Sequence, residues 1–149
     1  LDAPNIWGMT PTTIVAEVTE TALARDLDLA VHGLRRLRDH GMRVAIDDFG
    51  VGYASITYLR KFPATELKID RSLVASIASD ARVARLVESI IQFAHNLGLV
   101  TTAEGIEDAA TQRLLVEMGC DFGQGYYLGR PEPAADFIAR FAAQAATTP

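Results

Sequence analysis

A chain of 149 residues, 49% hydrophobic and 22% charged, has the size and balance of one folded domain with room for a sizeable core. Its formal charge of −5 excludes the broad basic surface that polymeric DNA or RNA requires, and a lone cysteine, Cys120, excludes a disulfide framework or cysteine-rich zinc site within one chain. No apolar run is long enough to span a bilayer and no signal-like segment opens the chain, so the expected compartment is the cytoplasm, without membrane contact.

In chain order, the first strand is expected over Ile14–Glu20, preceded by Trp7 and Met9, which would pack on a preceding segment. Leu23, Leu27, Ala30, Val31, Leu34 and Leu37 recur at helical spacing, and Gly41 stands where a helix cap belongs. The second strand, Val44-Ala45-Ile46, ends in Asp47-Asp48 and the turn Phe49-Gly50-Val51-Gly52. A short helix is expected from Ser55 to Lys61, halted by Pro63, and a third strand over Glu66–Asp70. A long helix should start near Asp80, bury Val83, Leu86, Val87, Ile90 and Leu97, and end at Gly98. Leu99–Gly105 reads as the fourth strand, with a helix from Asp108 to Gly119 carrying Leu114, Leu115 and Met118. Phe122–Tyr127 reads as the fifth. A last helix from near Pro133 carries Phe137, Ile138 and Phe141; residues 1–143 are read as one unit and 144–149 as a tail.

Alternating strands and helices imply a parallel sheet. Glu17, Asp47, Lys68, Glu104 and Gln124 each fall at or near the C-terminal end of a different strand. In a closed (β/α)8 TIM-like barrel, catalytic residues gather at that end from many strands, whereas an open doubly wound sheet gathers ligand contacts at one switch point. The barrel fits better, but eight βα units typically need about 250 residues, so roughly five are expected here and the first three absent. A start at Leu1 agrees with a piece of something longer.

Two adjacent carboxylates at a strand end suit metal binding, provided the chain bends there, since neighbouring residues of a straight strand point to opposite faces. The glycines of the following turn are expected to supply the bend. Glu17, Asp47 and Asp48 are hard oxygen donors of the kind Mg²⁺ or Mn²⁺ prefers. A pair of such ions suits in-line displacement at a phosphodiester; Lys68 would hold the attacking water or neutralise charge, and Glu104 would complete the second ion's shell or take a proton. The plainer alternative is a buried ion pair of Glu17 and Asp47 with Lys68.

Glu17-Val18-Thr19-Glu20, Asp47-Asp48-Phe49-Gly50-Val51-Gly52-Tyr53, Leu67-Lys68-Ile69-Asp70-Arg71-Ser72, Ala103-Glu104-Gly105-Ile106-Glu107 and Gly119-Cys120-Asp121-Phe122-Gly123-Gln124-Gly125-Tyr126 together resemble the EAL-domain phosphodiesterases, in family order over nearly the whole chain. The resemblance implies a modified TIM barrel that opens the bacterial second messenger cyclic di-GMP to linear pGpG with a two-metal Mg²⁺ or Mn²⁺ site. It implies that Glu17 and Asp47 bind the first metal and that Asp48 helps to hold the second. Lys68 would orient the catalytic water, and Glu104 would act at the second metal or as general base. Glu20 would steady the loop from Phe49 to Ile56, and Asp70, Glu107 and Gln124 would lie near the substrate. The family's Glu-Ala-Leu motif and a metal-binding Asn are absent, and Val51 and Ala54 replace the usual Thr and Ser.

His32, His40 and His95 lie on expected helices without a ligand partner at helical spacing, and read as structural. Arg35, Arg36 and Arg38 read as a solvated face, and Cys120 as a small buried thiol. A catalytically inactive nucleotide-binding or protein-interaction module is the competing function, and a different barrel phosphohydrolase a weaker one. Upstream sensory or cyclase domains would be partners in the parent chain, and two unpaired sheet edges would favour self-association.

Overall fold

The computed structural model describes residues 10–19, 27–52, 59 and 61–145. The strands are β1 Val15–Thr19, β2 Arg43–Phe49, β3 Glu66–Ile69, β4 Val100–Glu104 and β5 Phe122–Gln124. The helices are α1 Leu27–Asp39, α2 Arg71–Val74, α3 Ala81–Asn96, α4 Ala109–Glu117 and α5 Ala134–Ala145. A single 3-10 turn, Pro11–Thr13, leads into β1.

Every strand pairs parallel with the next, in the spatial order β1-β2-β3-β4-β5. A doubly wound sheet reverses its order at a switch point. This sheet never reverses, so it is an arc of a (β/α)8 barrel, five strands wide.

Alternation along each strand sorts the side chains onto two faces. Val44, Ile46, Leu67, Ile69 and Ala103 face outward and are buried against Val74, Val87, Ile90, Ile91, Ala94 and Leu115 of the helices and the loops beside them. Ile91 is fully buried, and its truncation to Ala would cost about 2–5 kcal/mol. The register puts Glu17, Ala45, Glu66, Lys68, Thr102, Glu104 and Gln124 on the other, inward face.

Helix ends follow local chemistry. Asp80 caps α3 by accepting from Arg82 N at 2.7 Å, and Asp108 caps α4 by accepting from Thr111 N at 2.8 Å. Gly119, with φ +82°, closes the turn after α4 in a conformation that other residues avoid.

Three expectations shift. Tyr126 and Tyr127 lie in a turn rather than a strand, because Gly125 O accepts from both Leu128 N and Gly129 N at 3.1 Å. Leu86 is 48% exposed; the buried stripe of α3 is Val87, Ile90, Ile91 and Ala94. The one-turn helix α2 had no periodic signal, being set by its Asp70 cap. Trp7, Met9, Glu20 and Leu23 lie outside the described residues, as does the short helix expected over 55–61 apart from Leu59 and Lys61.

Candidate active site and metal centre

The pairing of β2 with β3 slips at the aspartate pair. Ile46 faces Leu67 and Phe49 faces Ile69, so β2 advances three residues while β3 advances two. The extra residue is a β-bulge, and Asp48 sits in it at φ +55°. Asp is among the few non-glycine residues that tolerate this left-handed conformation, at a cost of about 1–3 kcal/mol. The bend therefore begins within the aspartate pair, at Asp48, and continues into the expected glycine turn, where Gly50 takes φ +107°. It brings carboxylate oxygens of Asp47, Asp48 and Glu104 within 4.8 Å of one another.

Lys68 stands at the centre of the acidic groups. Its Nζ is 2.7 Å from Glu104, 3.0 Å from Glu17 and 3.1 Å from Asp47, so side chains from four successive strands meet at one ammonium. The residue is only 7% exposed. Burial works against its charge, but the carboxylates of Glu104, Glu17 and Asp47 more than offset this and hold its pKa above the ordinary lysine value. Lys68 is thus a fixed cation and hydrogen-bond donor, not a proton acceptor at neutral pH. The ion pairing that the sequence offered as a plainer alternative is present, and it extends to Glu104.

Asp47 Oδ1 is buried and receives no hydrogen bond among the described residues, although Lys68 Nζ is 3.1 Å away. The contact is an ion pair held by Coulombic attraction. An unsatisfied buried carboxylate oxygen costs free energy that a cation would recover. With Glu17, Asp47, Asp48 and Glu104 against one lysine, the local charge is net negative, and the donors are all oxygen. The residues present fit a hard divalent ion.

The remaining candidates surround this cluster. Gln124 is exposed and pairs in register with Glu104. It also lines a cleft of about 950 Å³ with Tyr126 and Arg130, whose guanidinium lies 4.5 Å from the Tyr126 ring centre. Glu107 is exposed just beyond β4. Asp70 Oδ1 accepts from Ser72 N at 2.8 Å and from the Ser72 hydroxyl, so that oxygen serves as a helix cap. Glu20 lies outside the described residues.

Two polar groupings escaped the sequence reading. Glu66 accepts a 2.6 Å hydrogen bond from Thr102 Oγ1 on the inward face, a pair that the alternation Glu66, Lys68 and Thr102, Glu104 would have signalled. At the opposite end of the sheet, Asp121 Oδ2 accepts from Thr101 N at 2.7 Å and Thr101 Oγ1 at 2.8 Å, and lies 2.8 Å from His95 Nε2. That end of a barrel serves stability, and the His95 contact ties the last turn of α3 to the segment before β5. Cys120 Sγ points at the Phe122 carbonyl, 3.3 Å away, and burial raises its pKa.

Comparison with known proteins agrees with the geometry. The profile of the family described as "EAL domain" matches residues 7–131. The chain is 42% identical over 132 residues to the bifunctional diguanylate cyclase/cyclic di-GMP phosphodiesterase MucR of Pseudomonas aeruginosa, covering 89% of this chain and 19% of that protein. It is 38% identical over 136 residues to the signaling protein YkoW of Bacillus subtilis, covering 91% of this chain and 17% of that protein. The chain therefore spans about a fifth or less of these relatives. Among solved structures, the PaMucR phosphodiesterase in complex with c-di-GMP superposes with a TM-score of 0.87 at 40% identity, over 91% of this chain and 55% of that one. The Klebsiella pneumoniae BlrP1 manganese/cy-diGMP complex superposes with a TM-score of 0.78 at 33% identity, over 84% of this chain and 32% of that one.

Proposed function

Because this chain belongs to the EAL-domain family, we propose that the complete domain of which it forms part hydrolyses cyclic di-GMP to linear pGpG in a divalent-metal-dependent reaction. The observation that carries this reading is the meeting of Glu17, Asp47, Lys68 and Glu104 from four strands, with Asp48 turned into the same space by its bulge. The names of the relatives supply the substrate.

Glu17 and Asp47 would hold one ion, with Asp48 and Glu104 holding or bordering a second. Mg²⁺ or Mn²⁺ suits these donors. A bound divalent ion would supply Lewis acidity toward the phosphodiester and make water a better nucleophile. Lys68, kept protonated, would donate a hydrogen bond to the attacking water or to the negative charge that develops on phosphate. Glu104 would accept the proton released. Gln124, Glu107 and Asp70 would border the nucleotide, and Glu20 would steady the loop after β2. The parent chain would carry sensory or cyclase domains and act in the cytoplasm; among the described residues no helix is long and apolar enough to cross a membrane.

The test is cleavage of cyclic di-GMP by the complete domain, followed by anion-exchange chromatography with Mg²⁺, Mn²⁺ or chelator. Metal-dependent appearance of pGpG is expected. Tight binding without cleavage under any metal would overturn the enzyme reading in favour of a sensing module.

A further inference from the structure

Lys68 has a fourth acidic neighbour that it does not use. Glu66 precedes it by two residues on β3, on the same inward face, so the two side chains start roughly 6.6 Å apart. A lysine stem spans that distance. Among the described residues, the ion pairs of Lys68 nevertheless run to Glu17, Asp47 and Glu104. Glu66 is held instead by residues of the two flanking strands, Arg43 of β2 and Thr102 of β4. Its Oε1 accepts from Thr102 Oγ1 at 2.6 Å, and its Oε2 lies 3.9 Å from Arg43 Nη1. Thr102 is the register partner of Lys68 on β4, and both are buried.

We propose that Thr102 and Arg43 are positioning residues which restrain the Glu66 carboxylate, so that the Lys68 ammonium is directed up into the carboxylate site and not down toward the barrel floor. The inference rests on the proposed role of Lys68 and adds what sets its direction. A carboxylate with a side chain 12% exposed needs a donor or a cation. With the Thr102 hydroxyl and the Arg43 guanidinium removed, Lys68 is the cation within reach on its own strand. Once drawn to Glu66, Lys68 would leave Glu17, Asp47 and Glu104 without their shared cation.

In the complete domain, the double variant Thr102→Val, Arg43→Gln should lower kcat about tenfold with KM little changed, because the lost contact is one made to developing charge. Adding Glu66→Leu to that background should restore most of the loss, since no carboxylate remains to compete. A destabilised scaffold would not be rescued in this way. The side-chain ¹⁵N resonance of Lys68, assigned by its absence in Lys68→Arg, should shift in the double variant and return in the triple, without any turnover being needed. Should the double variant fail to fold, Thr102→Val alone carries the same test with a smaller expected effect. An unmoved Lys68 resonance, or a loss of kcat that Glu66→Leu fails to restore, would overturn the proposal. A wild-type domain that cleaves nothing would instead overturn the hydrolase reading and leave the resonance test standing.

Discussion

Replacing Lys68 by Met removes a cation that three carboxylates share while keeping a stem of similar length. The ammonium lies within 3.1 Å of Glu17, Asp47 and Glu104 and is almost fully buried, so its loss leaves the largely buried Asp47 and Glu104 facing one another as like charges beside a half-exposed Glu17. Breaking a buried pair from one side costs about 3–5 kcal/mol. In a domain of this class that lowers Tm by about 6–20 °C, at roughly 2–4 °C per kcal/mol. Because the Lys68 pKa is raised, its contribution is complete below the unfolded value of about 10.4 and lost only as pH rises beyond it. The deficit should therefore be flat from pH 6 to about 9. Divalent ion should offset it: Mn²⁺ at about 100 times its Kd stabilises by ~2.7 kcal/mol, and its Kd should itself fall once no lysine competes for the carboxylates. Thermal melts of wild type and Lys68→Met in the complete domain, with chelator and with Mn²⁺, measure all of this. A variant as stable as wild type in chelator, with no larger gain from Mn²⁺, would refute the argument that Lys68 neutralises the site.

Asp47→Asn should abolish turnover and weaken Mn²⁺ binding by calorimetry at least tenfold, because a hard cation depends on the charge that Asn lacks. Asp48→Val should destabilise by about 1–3 kcal/mol in denaturant titration, since a β-branched residue fits poorly at φ +55°; Asp48→Asn should spare stability and lose metal. For Asp121, burial favours the neutral acid, but hydrogen bonds from His95 and Thr101 win and hold its pKa below the usual carboxylate range. Its contribution is thus present above about pH 4 and lost as pH falls through the depressed value, so Thr101→Val should raise the acid-unfolding midpoint. The 149-residue chain on its own should self-associate and show little or no cleavage, because β1 and β5 are the outer strands of the five-stranded sheet among the described residues; a compact monomer with full activity by sedimentation and assay would refute this.

The strand ends were legible because function and fold share one signal there. An apolar run that reaches a carboxylate marks the strand and its C-terminal end together, as at Asp47 and Glu104, whereas Lys68 lies between Leu67 and Ile69 inside β3. Helix starts at Asp80 and Asp108 were legible because capping is local chemistry. The bulge was not, because it is a slip between β2 and β3, and a slip belongs to two strands at once. The network of His95, Thr101 and Asp121 was hidden for the same reason, since Asp121 lies 26 residues from His95 and 20 from Thr101. Tyr126 and Tyr127 misled through strand propensity, which the turn after Gly125 overrode.

At Gly125 a methyl group would have to occupy the space already filled by the main-chain nitrogen and oxygen of Ile106. The two segments are also stitched by Ile106 N to Gln124 O and Tyr127 N to Ile106 O, both 3.0 Å. The rim bearing Glu107 and the rim bearing Gln124 are consequently a single rigid jaw. If these rims border a ligand as proposed, a bulkier or smaller one is met by exchanging side chains on the jaw, since any side chain at position 125 would force its two segments apart.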